Sequence, residues 1–190
     1  MRKRIMYEAL QEMDERGIKF TMDDLARRLG VSKRTLYENF SSKEELIGEI
    51  LAASISDLKT KREAIVNDPS LDVCEKFKQI MSVKPSLCAK TTDRVAIEMK
   101  KCMPEHWEKL EGALDELWEI TERLLHEGVQ KGCFRPVFFP AIRVMFKGSF
   151  NEFANHSFLV QHKVTIDEMV SHMTDILMFG FVSEPERKNP

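Results

Sequence analysis

The chain has 190 residues, with 29 Lys/Arg against 31 Asp/Glu and a formal net charge of −2, which excludes both a basic nucleic-acid coat and an acidic tail protein. Any surface for a polyanion must be local. Arg27 to Arg34, with four basic residues and no acidic one, is such a place, and Arg2, Lys3 and Arg4 are another.

Arg4 to Arg16 is interrupted by Glu8, Glu12, Asp14 and Glu15, so it lacks the apolar run of a signal peptide, and no stretch reaches membrane-spanning length. The expectation is a cytoplasmic protein with no membrane partner. Cys74, Cys88, Cys102 and Cys133 lack paired spacing and read as free thiols.

Apolar residues recur at helical spacing almost throughout, without a period-2 segment between turn signals, so the fold is predicted to be all-α with about nine helices. Met6, Ala9, Leu10 and Met13 share one face of a first helix, closed by Gly17 as a left-handed cap. Thr21 with Asp24 is a capping box for a helix over Met22 to Leu29. Gly30 permits a sharp turn, and Ser32 caps a third helix from Lys33 to Phe40. Ser42 with Glu45 is a second capping box. It opens a longer helix with the stripe Leu46, Ile50, Leu51, Ile55 and Leu58.

Asn67-Asp68-Pro69-Ser70 breaks that helix, and Cys74, Phe77, Ile80 and Met81 mark the next, which Pro85 ends. A less clearly patterned helix covers Leu87 to Met103, and Pro104 suits the first turn of a long one ending at Gly132. Its stripe includes Trp107, Leu117, Trp118, Thr121, Leu124, Leu125 and Gly128. After the Pro-bounded connection Phe134 to Phe139, one helix is predicted from Pro140 to about His162. Thr165 with Glu168 then caps a last helix that closes at Gly180.

Thr21 to Phe40 is therefore a helix, a glycine-containing turn and a second helix, the helix-turn-helix pattern. Leu25, Ala26, Leu29, Val31, Leu36 and Phe40 lock the helices together. Lys33, Arg34, Thr35, Tyr37, Glu38 and Asn39 are left for groove or solvent. Basic residues at the start of the second helix stand where phosphates and base edges are reached. Arg27 and Arg28 read either as backbone contacts or as a solvated helix face.

Thr21, Leu25, Ala26, Gly30, Val31, Ser32, Thr35, Leu36, Tyr37, Phe40, Lys43 and Leu46 fall in one register, and on them the chain resembles the tetracycline-repressor family over roughly Arg4 to Leu51. The resemblance implies a homodimeric transcription factor, usually a repressor, that binds a double-stranded operator. It also implies a domain order, a DNA-binding module over 1–50 followed by a helical dimerisation and ligand-sensing domain over 51–183, while the polar residues 184–190 read as a disordered tail. Thr35, Tyr37 and Lys43 match the family's phosphate-contacting positions, and Lys33, Arg34 and Asn39 are candidates for base readout. Tyr37 can also be read as an aromatic packed on the first helix.

The same resemblance implies that the two final stripes dimerise. On the first, Ile142, Met145, Phe146, Ser149 and Phe153 are candidates; on the second, Ile166, Met169, Val170, Met173 and Leu177. It further implies a cavity for a small apolar or amphipathic ligand. Cys88, Met99, Cys102, Met103 and Trp107 are candidate lining, with Trp118, Phe146 and Phe150, although each also reads as ordinary core.

No catalytic residue, cofactor or metal site is assigned: there is no Gly-rich phosphate loop, nucleophile elbow or HExxH, and Pro104 interrupts Cys102 and His106. A ligand-independent regulator and a helix-turn-helix that contacts protein stay open as alternatives.

Overall fold

A computed structural model describes residues 1–87, 93–153 and 156–181, and these contain ten α-helices and no strand. They are α1 (Arg2–Arg16), α2 (Met22–Leu29), α3 (Lys33–Asn39), α4 (Lys43–Asn67), α5 (Val73–Ser82), α6 (Asp93–Cys102), α7 (Pro104–Gln130), α8 (Phe139–Phe153), α9 (His156–His162) and α10 (Ile166–Phe181). The all-α reading holds. The stretch expected as one helix over Pro140 to His162 is helical over Phe139–Phe153 and His156–His162, with residues 154 and 155 outside the described ones, and the two pieces are counted as α8 and α9.

Local signals placed most of the boundaries. Thr21 and Asp24 form the expected box, each side chain accepting from the other's backbone N–H at 3.1 Å. Thr165 and Glu168 do the same at 2.8 and 3.2 Å. Ser42 accepts from Glu45 N–H at 3.1 Å, but the Glu45 carboxylate turns to Ser41 instead, so only half of that box forms. Asp72 and Glu75 make a further full capping box at the start of α5. Gly30 has the left-handed φ of 67°. Gly17 also has positive φ, but with ψ of −176° it closes α1 in an extended rather than a left-handed helical conformation.

The chain divides into two compact units, Met1–Leu58 with Lys84–Gly112, and Lys59–Val83 with Ala113–Pro190. In the first, α1 packs on α2 and α6, and α2 on α3. Ile5, Met13, Leu25, Leu36, Phe40, Leu46 and Ile47 are all buried, so each of the first four helices contributes to the interior. In the second, α10 packs on α5 and α8. Phe77 and Phe134 meet there edge to face, with ring centroids 6.2 Å apart. Among the described residues, no helix is long and apolar enough to cross a membrane.

Phe134 was expected only as part of a connection. It is instead 2 % exposed, and its ring lies over Gly128, where an added Cβ would stand 2.1 Å from the ring. Gly132, at φ 73°, lets the chain fold back on α7. Cys133 and Phe134 N–H then both donate to the Gly128 carbonyl, at 2.9 and 3.0 Å.

Candidate nucleic-acid interface

The turn between α2 and α3 is fixed from both ends. Val31 N–H donates to Ala26 O at 3.1 Å across Gly30, and Ser32 Oγ accepts from Thr35 N–H at 3.0 Å. Leu25 and Leu36 are fully buried behind it, which turns the other side of α3 outward. There Arg34 has a side chain 89 % exposed, with Nε donating to Glu38 at 2.9 Å, one helical turn on. Lys33 is exposed and pairs with Asp23, and Tyr37 is 48 % exposed. Thr35 is half-buried, with its hydroxyl 2.9 Å from that of Ser32. Asn39 turns its amide nitrogen back to Thr35 O at 2.8 Å. The exposed candidates for groove contact are thus Lys33, Arg34 and Tyr37.

Three other basic candidates point elsewhere. Arg28 donates through Nε to Glu8 at 2.8 Å and grips Glu15 with two nitrogens at 2.8 and 3.0 Å. It also reaches Glu12 at 3.3 Å. Those carboxylates lie on one face of α1, so Arg28 clamps α2 to α1, with its pKa raised by Glu15 first and then Glu8. Lys43 donates its ammonium to Phe20 O at 2.7 Å and to Ile18 O, holding the α1–α2 connection, and burial lowers its pKa. Arg2 bonds Glu49 and Asn39 O and stacks 4.0 Å over the Phe40 ring. Arg27, 76 % exposed beside Asp24 at 3.5 Å, remains on the outer face.

The same unit contains contacts that no local pattern announces. Glu98 on α6 accepts from Ile18 N–H at 2.6 Å, in the loop that Lys43 also holds. His106 Nε2 lies 3.1 Å from Glu44 O, joining the first turn of α7 to the first turn of α4.

Several carboxylates of this unit sit below their usual pKa: Glu15 through Arg28, Asp24 through Thr21, and Glu45 through Ser41. A lowered folded-state pKa contributes stability above the unfolded value, and that stability is lost as pH falls through the folded one. The melting temperature is therefore expected to be flat above about pH 6 and to drop steeply below about pH 4. Circular dichroism melts across that range check it. A stability that rose on acidification would contradict the assignment of these pairs.

The candidate ligand-lining and dimer residues fall in both units. Met99 and Trp107 are buried, Met103 half-buried and Cys102 exposed in the first unit. Trp118 and Phe146 are buried in the second, with rings 5.4 Å apart. Cys88 and the side chains of Phe150 and Phe153 lie outside the described part of the structure. Ile142 and Phe146 are 5 % and 7 % exposed, so they belong to the protomer's own interior. Met145 is 52 % exposed, while Ser149, Ile166, Met169, Val170, Met173 and Leu177 are half-buried. Val144, Ile176 and Phe179, which the stripes did not single out, are at least 70 % exposed.

Two helices locked by a glycine turn, with a basic and aromatic outer face on the second, define a helix-turn-helix DNA-binding protein. Residues 5–50 match the model of the bacterial regulatory proteins of the tetR family. Over 186 residues, covering 98 % of both chains, the sequence is 32 % identical to the uncharacterized HTH-type transcriptional regulator YvaF of Bacillus subtilis (strain 168). The fold resembles the fatty acid degradation regulator FadR of Bacillus halodurans, with a TM-score of 0.70 at 22 % identity over 94 % of this chain and 95 % of that one. It is equally similar to Bacillus subtilis FadR in complex with stearoyl-CoA, with a TM-score of 0.70 at 21 % identity over 94 % and 98 %. The chain belongs to the tetR family, and it is a transcriptional regulator that binds DNA through the helix-turn-helix of α2 and α3.

Proposed function

We propose that the protein is a cytoplasmic homodimeric repressor that leaves a pseudo-palindromic operator when a small ligand occupies its C-terminal helices. The observation that carries the operator contact is the outward face of α3, where Lys33, Arg34 and Tyr37 stand exposed at the start and middle of the second helix. Exposed Val144 and Met145 on α8 and Ile176 and Phe179 on α10 support self-association, because large apolar side chains gathered on adjacent helices gain most by being covered. That a similarly folded FadR is found with stearoyl-CoA supports an amphipathic effector. Coupling has a structural route, since α6 and the first turn of α7 share a compact unit with α2 and α3, Glu98 bonding the α1–α2 connection at Ile18 and His106 meeting the first turn of α4 at Glu44.

Selection of bound genomic fragments, followed by titration of the best one at two salt concentrations, tests the reading. A pseudo-palindrome with half-sites about 34–36 Å apart, or a small extension of that, and a steep salt slope are expected. Weak, sequence-blind binding would reject it. Within that assay, Arg34→Ala is expected to relax preference at particular bases by about 1–3 kcal/mol. Tyr37→Phe is expected to weaken all sequences alike, as the loss of a phosphate contact does. Unchanged affinity in Tyr37→Phe would assign the ring to packing alone.

A further inference from the structure

Three polar side chains of the second unit lie on, or reach, one turn of α7 with a buried polar atom left unpaired in each. Thr121 is fully buried, and its hydroxyl has no hydrogen bond; Trp118, 8 % exposed, has none for its indole N–H. Arg62 reaches in from α4 and donates one guanidinium nitrogen to Leu117 O at a long 3.4 Å, while its Nε is buried and unbonded. Leu117, Trp118 and Thr121 lie within one turn, so the guanidinium stands over the turn that carries the other two groups.

Every one of these groups can donate, and among the described residues the one bond made to an acceptor is that of Arg62 to the Leu117 carbonyl, which the helix already uses. Among the described residues no carboxylate pairs with Arg62, and burial alone lowers its pKa to about 10, which leaves it charged at neutral pH. A half-buried cation with its Nε shut off from water and no counter-charge beside it is uncommon in a folded protein. Glu12, by contrast, is a buried charge that lies against both Arg16 and Arg28. Beside the donors, Trp118 and Phe146 present an aromatic wall with ring centroids 5.4 Å apart.

We infer that Arg62, Trp118 and Thr121 form the head-group end of an effector site that takes a small amphiphilic oxyanion, its anionic head on the three donors and its apolar body along Trp118 and Phe146. This rests on the ligand-responsive reading given above and adds the sign of the ligand's charge and the residues that read it. An oxyanion head supplies several acceptor lone pairs and the missing negative charge together, whereas an alcohol of the same chain length supplies neither in full.

The test uses the full-length protein with three probes of one chain length: dodecanoate, dodecyl phosphate and dodecanol, each followed by calorimetric titration and by release of the selected operator. One or both anions are expected to bind at least tenfold more tightly than the alcohol, and the stronger of the two identifies a carboxylate or a phosphate head. Arg62→Gln should lower anion affinity at least tenfold and leave the alcohol unchanged, with Arg62→Lys intermediate. Thr121→Val, which removes a buried hydroxyl without a partner, should raise the melting temperature of the unliganded protein while weakening anion binding.

Equal affinity for anion and alcohol, or anion binding indifferent to Arg62→Gln, would overturn the site. So would failure of all three probes to bind. Operator release by dodecanol, or by a neutral effector found by screening, would then show that the ligand-responsive reading stands without the anion site. If screening found no effector, that reading would fall as well.

Discussion

Arg28→Met is expected to destabilise the N-terminal unit by about 2–3 kcal/mol while leaving the intrinsic DNA contacts of the folded fraction unchanged. The substitution keeps the aliphatic stem but removes the guanidinium that faces Glu8, Glu12 and Glu15 on α1. Glu12 is the group that sets the size of the effect. Its side chain is 2 % exposed, and without Arg28 its remaining cation is Arg16, at 3.4 Å. A carboxylate left buried with half its counter-charge costs more than the loss of the exposed pair to Glu15. Glu12→Gln added to Arg28→Met should therefore recover part of the loss, because the neutral amide is cheaper to keep inside. Urea unfolding of the single and double variants measures both. Were Arg28 a phosphate contact, its removal would leave the midpoint in place and reduce the salt slope of DNA binding by about one.

Phe134→Ala is expected to cost about 3–5 kcal/mol in the second unit, the range found when a buried aromatic ring is deleted and the surroundings relax only in part. The ring fills the space between Phe77 and the bare face of α7 at Gly128. Gly128→Ala should by itself destabilise by about 1–3 kcal/mol, since its methyl group would overlap a buried ring that has nowhere to go. In the Phe134→Ala background the sign should reverse. With the ring gone, alanine favours the helix over glycine by up to about 1 kcal/mol and fills part of the void. A double-mutant cycle on denaturation midpoints reads this coupling directly. Additive losses would mean that the ring does not rest on Gly128 in solution.

These two expectations also separate what is local in this protein from what is not. The DNA-binding module was legible because its signals are short-range. Thr21 and Asp24 cap within one turn, Gly30 is the residue that tolerates φ 67°, and Leu25 and Leu36 sit at positions that helical periodicity assigns to the inside. Exposed Lys33, Arg34 and Tyr37 follow from the same phase. Arg28 and Lys43 did not follow. A cation and its spacing look the same whether its partner is a phosphate or a glutamate on another helix, and only the packing of α1 against α2 brought three carboxylates to Arg28 and two carbonyls to Lys43.

The helical class, most helix boundaries and the helix-turn-helix are local properties of this chain, because caps, breakers and apolar period act over a few residues and are written in adjacent letters. Tertiary structure alone decided the rest. It placed α6 and the first turn of α7 in the compact unit of the DNA-binding helices, and it folded Phe134 back onto Gly128. It also turned Ile142 and Phe146 inward while Val144, Met145, Ile176 and Phe179 stayed outside, and it left Arg62 Nε buried without a partner. Each of these depends on which distant helix faces a given side chain. That choice is made by packing the whole chain, where a helix apolar on more than one side can bury any of its faces.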